Sequence, residues 1–179
     1  MRYCARVCGR QRGGASGAAL TTCNACEDVP VPRHVYECPL RWADMDSLGH
    51  VNNVVYVDYL QEARVDMLSI HASQTGARQL GDGVVVVRHE VEFLHPLVFR
   101  PHPVRIETWV EKVGAASFTL RYEIIDSDVV CCRAATVLAP FVFAEERPRR
   151  LTQQERVTLE GFRDDPEPSA AREPGGGHS

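Results

Sequence analysis

One long amphipathic helical stretch stands alone among β-patterned stretches, and it limits the folds open to this chain more than any other feature. From about Asn53 to Ile70, the residues Tyr56, Leu60, Ala63, Met67 and Ile70 recur at spacings of three and four. Asp58, Glu62 and Asp66 form a polar stripe beside them, the pattern of a helix with one face to bury. Ahead of it, residues 35–42 alternate with Tyr36, Cys38, Leu40 and Trp42 on one side, predicting a strand in which Pro39 marks an edge or a bulge. Behind it, residues 71–82 are Ser, Gln, Gly and Asp rich and read as a loop. Four strands are predicted next. Val87, His89, Val91 and Phe93 share one side of the first, and Val104, Ile106, Thr108 and Val110 one side of the second. Gly114 breaks the chain before Phe118, Leu120, Tyr122 and Ile124; Asp126-Ser127-Asp128 then turns into the apolar run 129–143, read as a central strand. A short helix over residues 152–162 closes the series. Strand, helix, then four strands is an α+β order without βαβ alternation, in which the lone helix needs a sheet around it.

The chain's 179 residues suit one domain with tails. Three segments are expected: residues 1–33 as a disordered extension, or one lying upstream of a translation start near Val29 or Val31; 34–162 as the folded domain; 163–179 as a Pro, Gly and acid-rich disordered tail. The net charge of −4 argues against nucleic acid as partner. No apolar run reaches the roughly 20 residues that span a bilayer, and no secretory h-region is evident, so a cytoplasmic protein without membrane partners is expected. Cys4, Cys8, Cys23 and Cys26 could supply four thiolates to a structural zinc. The first spacing departs from the usual pattern, and the reading adopted is no metal and no cofactor. Cys131 and Cys132 read as small buried residues.

Chemistry concentrates in the run Arg41-Trp42-Ala43-Asp44-Met45-Asp46-Ser47-Leu48-Gly49-His50-Val51-Asn52-Asn53. Asp46 ends a strand-like stretch, Gly49 permits a tight turn, and Asn52 or Asn53 can cap the helix that follows. The unpaired N–H groups of a helix start, with the positive end of its dipole, can hold a polarised carbonyl oxygen. A carboxylate aimed at the same carbonyl would complete a hydrolytic site.

Asp-x-x-Gly-His-Val-Asn-Asn, then Tyr56 and Glu62-Ala63-Arg64, resembles the 4-hydroxybenzoyl-CoA thioesterase-like branch of the hotdog-fold acyl-CoA thioesterases. Glu92-Phe93-Leu94-His95-Pro96-Leu97 and Lys112-Val113-Gly114-Ala115-Ala116-Ser117 match the same pattern, so the likeness spans about residues 34–160. It implies a hotdog fold, an antiparallel sheet of about five strands wrapped around one long helix. It also implies an acyl-CoA substrate and a homodimer or tetramer of dimers with sites at subunit interfaces.

The resemblance places the catalytic carboxylate at Asp46, as nucleophile or general base, with Asp44 bracing the loop. Gly49 matters for backbone shape, His50 for its N–H or as a proton carrier, and Asn53 and Asn52 as cap or substrate contact. Tyr56 reads as core or as a substrate contact. Arg88, Arg100, His102 and Lys112 are potential partners for coenzyme A phosphates; Arg64 and the cluster Arg147-Pro148-Arg149-Arg150 read first as solvated or ion-paired charges. Two other functions remain open: an enoyl-CoA hydratase of the same fold, whose Asp and His are expected one residue further apart than Asp46 and His50, and a non-catalytic acyl-binding module.

Overall fold

The computed structural model describes residues 33–71, 80 and 83–164, and in it the alternating stretches pair into one antiparallel sheet. In chain order the elements are β1 (His34–Cys38), α1 (Asn53–Val65), β2 (Val84–Phe93), β3 (Val104–Val113), β4 (Phe118–Asp126), β5 (Val129–Val142), the short β6 (Arg147–Pro148) and α2 (Gln153–Glu160). The sheet order is β1-β3-β4-β5-β2, with β6 added beside β5. α1 lies against β1 and β3. This is the hotdog architecture, an α+β fold in which a curled sheet buries the one long helix.

The sequence periods explain the packing. Leu60, Ala63 and Met67 are fully buried, as are Ile106, Leu120, Ile124 and Leu138 from three successive strands. Cross-strand pairing sets these side chains on one face, because partners in register point the same way. Three irregularities bend the sheet, at Val86/Arg88, Val110/Lys112 and Ile124/Ile125. Each adds one residue to a strand and increases its local bend.

Two boundaries differ from expectation. The first strand ends at Cys38 instead of running to residue 42: Pro39 has no N–H to donate to the ladder, and Trp42 opens a 3-10 turn, Trp42–Asp44. Trp42 is therefore exposed, packed edge-on against Phe99 with ring centroids 5.5 Å apart. The helix passes at Asp66–His71 into a π-helical turn. Its wider winding carries Ile70 off the apolar stripe, leaving it exposed. α2 begins with a capping box, Thr152 and Glu155 each bonding the other's backbone N–H. No helix among the described residues is long and apolar enough to cross a membrane. The zinc expectation for Cys4, Cys8, Cys23 and Cys26 lies outside the described residues.

Candidate active site

After β1 the chain makes a closed excursion before entering α1. Met45 and Val51 form an isolated antiparallel bridge, and the Asn52 N–H donates to the Asp44 carbonyl at 2.9 Å. Between these ends, Gly49 adopts φ +80°, a conformation that L side chains rarely hold. The turn lets Asp46 Oδ1 accept the N–H groups of Leu48 at 2.8 Å and His50 at 3.3 Å. Oδ2 takes none of the described hydrogen bonds. One oxygen is thus anchored by backbone while the other keeps its lone pairs.

The anchoring residues lie below. Asp44 is buried, and its carboxylate accepts from the Arg41 backbone and guanidinium and from the Tyr59 hydroxyl at 2.6 Å. Burial pushes this carboxyl up, but the bonds from Arg41 and Tyr59 outweigh it and hold it below the ordinary range. The same pairing, added to burial, raises the Tyr59 phenol. Asp44 is therefore a brace, the role expected of it beside Asp46.

Asn52 caps α1, its side chain accepting from the Val54 N–H at 3.0 Å. That makes Asn53 the first helical residue; among the described hydrogen bonds its N–H meets no acceptor. The His50 N–H is engaged with Asp46, so the donor open to a ligand here is that of Asn53, at the positive end of the helix.

These groups line an open cleft of about 310 Å³ whose walls are Asp46, His50, Val51, Asn53, Tyr56 and the run Phe93–Pro96. Tyr56 is both core and wall: it is buried, stacks edge-on against Phe93, and accepts the Leu97 N–H at 3.1 Å. The Val51 N–H donates to the Leu97 carbonyl at 2.8 Å and ties the far wall to the turn. Four of the expected residues, Asp46, His50, Asn53 and Tyr56, thus meet at one cleft, with Gly49 and Asn52 shaping it from behind. His95 is a cleft residue not singled out for a role beforehand. Its signal was the Glu92–Leu97 motif, which nothing local connects to a turn some 40 residues earlier.

Arg88 and Lys112 are not at the cleft. Arg88 pairs with Val137, Val137 with Thr119, and Thr119 with Lys112, so the two cations occupy one cross-sheet row. That row alternates with the buried residues Thr136, Leu138, Phe118 and Leu120, and so faces away from α1. Arg88 also pairs with Glu90. Arg100 pairs with Asp126 at 3.0 Å, and His102 is exposed. Arg149 is no free surface charge, since it holds the buried Glu155 through both terminal guanidinium nitrogens. Arg64, read as a solvated or subunit-facing ion pair, is not solvated: it is 8 % exposed. Among the described residues no cluster of three metal-ligating side chains occurs.

The model of the thioesterase-like superfamily matches residues 40–158. Among solved structures, a predicted thioesterase from Bacillus stearothermophilus superposes with a TM-score of 0.66 at 23 % identity, covering 74 % of this chain and 98 % of that one. A thioesterase from Thermus thermophilus, complexed with coenzyme A and Zn, gives 0.62 at 23 % identity, with 72 % and 92 % covered. The PA2801 protein from Pseudomonas aeruginosa is 30 % identical with a TM-score of 0.61, over 70 % of this chain and 97 % of its own. No curated protein matches the chain.

Proposed function

Because this chain belongs to the thioesterase-like superfamily, we propose that it hydrolyses an acyl-CoA to a free carboxylic acid and coenzyme A, with Asp46 as the reacting carboxylate. The observation that carries this reading is Asp46 itself. Oδ1 is pinned by the Leu48 and His50 N–H groups, and the residue sits across a cleft from the start of α1. A thioester carbonyl placed between them would have its oxygen near the Asn53 N–H and its carbon within reach of Oδ2 or of a water held by Oδ2.

Two routes balance. As base, Asp46 takes a proton from water as the water oxygen attacks the carbonyl carbon; the C–S bond then breaks and the thiolate leaves. As nucleophile, Oδ2 forms a mixed anhydride with loss of thiolate, and water then restores the carboxylate. His50, at the cleft wall, is the group we assign to carry the proton. The thioesterase neighbour complexed with coenzyme A supports CoA as carrier. The working unit proposed is a homodimer or a tetramer of dimers. Its support is β2, a ten-residue sheet edge with Val86, Val87 and Phe93 exposed, a surface that isolated proteins rarely leave open.

The test follows thioester absorbance with a panel of acyl-CoAs. Asp46→Asn keeps an Oδ1 for the turn, so its fold should persist while the rate falls about 10²-fold or more. Equal rates in wild type and variant, or inertness of both across short, long and aromatic chains, would refute the reading.

A further inference from the structure

Asp46 and His50 account for attack on the carbonyl, but neither attends to the sulfur that leaves. His95 lines the same cleft from its other wall. Its backbone is fixed on both sides. The N–H groups of Leu94 and His95 both donate to the Cys131 carbonyl, at 2.9 and 3.0 Å. Two residues thus stand opposite one, as at a β-bulge. In a regular strand neighbouring side chains point to opposite faces; here Leu94 and His95 both line the cleft. Pro96 follows, and a residue before proline is confined to extended backbone. Just beyond, Leu97 is tied to the rest of the site. Its N–H donates to the Tyr56 hydroxyl at 3.1 Å, and its carbonyl accepts the Val51 N–H at 2.8 Å. His95 therefore rides on a short, pinned segment while remaining exposed itself.

The cleft also has a direction. Its floor is Val51 and Tyr56, 4 % and 3 % exposed, and its rim is Phe93, Leu94, His95 and Pro96, all exposed. An acyl chain gains by lying on the buried apolar floor. The sulfur leads to the charged, water-borne body of coenzyme A and so belongs at the rim. Of the four rim residues only His95 carries a side-chain proton to give, and histidine is the ordinary side chain that gives and regains a proton near neutral pH.

We propose that His95 is the general acid of this site, giving its proton to the departing sulfur. The assignment rests on the proposed thioester hydrolysis and adds a catalytic residue to it. As the tetrahedral carbon collapses, the C–S bond breaks and its electron pair goes to sulfur, which takes the proton of the His95 imidazolium. Coenzyme A leaves as the neutral thiol, and the neutral imidazole regains a proton from solvent at the open rim. His50 stays with the proton of the attacking water, so the two imidazoles serve opposite walls.

Leaving-group dependence tests it. kcat and KM are measured for the CoA thioester and the S-phenyl thioester of one acyl group, with wild type, His95→Gln and His95→Ala. An alkyl thiolate is the more basic leaving group and needs the proton; benzenethiolate departs without it. Both variants should lose about 10²-fold in kcat on the CoA thioester and at least about tenfold less than that on the phenyl thioester. Equal losses on the two substrates, or a loss confined to KM, overturn the role of His95 and leave the thioesterase reading intact. Inertness of wild type toward both thioesters overturns the two together. Should neither variant fold, wild type decides: its kcat on the CoA thioester should fall at alkaline pH relative to that on the phenyl thioester, and parallel profiles overturn the assignment.

Discussion

Replacing Tyr59 by Phe removes one oxygen from a buried position and tests how the Asp46 turn is held. The Tyr59 hydroxyl donates to Asp44 Oδ2 at 2.6 Å, fifteen residues away in sequence. Its loss leaves the carboxylate with Arg41, whose side chain is 68 % exposed and whose pull water screens. A hydrogen bond to a charged, buried group contributes about 1.5–3 kcal/mol, so the variant should lose about 2 kcal/mol. For a domain of this size that is a drop of about 4–8 °C in melting temperature. The pH dependence gives an independent check. Burial raises the Asp44 carboxyl, Arg41 and Tyr59 lower it further, and the net is a folded pKa below the ordinary 3.8. Stability from this group is therefore present above 3.8 and lost as pH falls through the folded value. Urea unfolding at pH 7 and again near pH 3 should show the gap between wild type and Tyr59→Phe narrowing on acidification. A gap below about 0.5 kcal/mol at pH 7, or one indifferent to pH, would refute the role given to this bond. Since the Asp44 carbonyl also receives the Asn52 N–H, kcat should fall more than KM rises.

Two further substitutions follow from the same geometry. At Gly49 an added Cβ would meet nothing within 4 Å, so Gly49→Ala should cost only the left-handed backbone penalty, about 1–2 kcal/mol; an unfolding midpoint matching wild type would contradict the positive φ. His89 is lowered from 6.5 by burial and then by Arg64. The unfolded chain therefore takes a proton that the folded one resists, and stability falls as pH drops below 6.5 until it passes the lowered folded value. His89→Gln should flatten this part of the stability profile, and parallel profiles for the two proteins would count against it.

What the sequence made legible was whatever has a short period or a local rule. The stripe Tyr56, Leu60, Ala63 and Met67 announced the helix, and the inward sets on β3 and β4 were read residue by residue. Gly49 and the capping Asn52 marked the turn because their demands on the backbone are local. Asp46 needed the family resemblance to be singled out from Asp44. The cleft wall at Phe93–Pro96 was hidden because it is brought to the turn by sheet curvature, not by spacing. The sheet face that Arg88 and Lys112 share was hidden for the same reason: which face a strand cation occupies depends on bulges, and bulges leave no clear mark in an alternating sequence. Arg64 was hidden differently. A charge on a helix reads as solvated, and only the packed sheet reveals that this one is enclosed.

The two walls of the cleft come from opposite borders of the sheet. The Asp46 turn leaves β1, at one margin, and Phe93–Pro96 leaves β2, at the other, with three strands between. They meet through the Val51–Leu97 and Leu97–Tyr56 bonds. No hairpin or half-sheet contains both, so a half-assembled chain holds Asp46 without the cleft. The cleft then exists only once the whole sheet is in place, and on the proposed function the regain of hydrolysis during refolding would time the closure of the last seam.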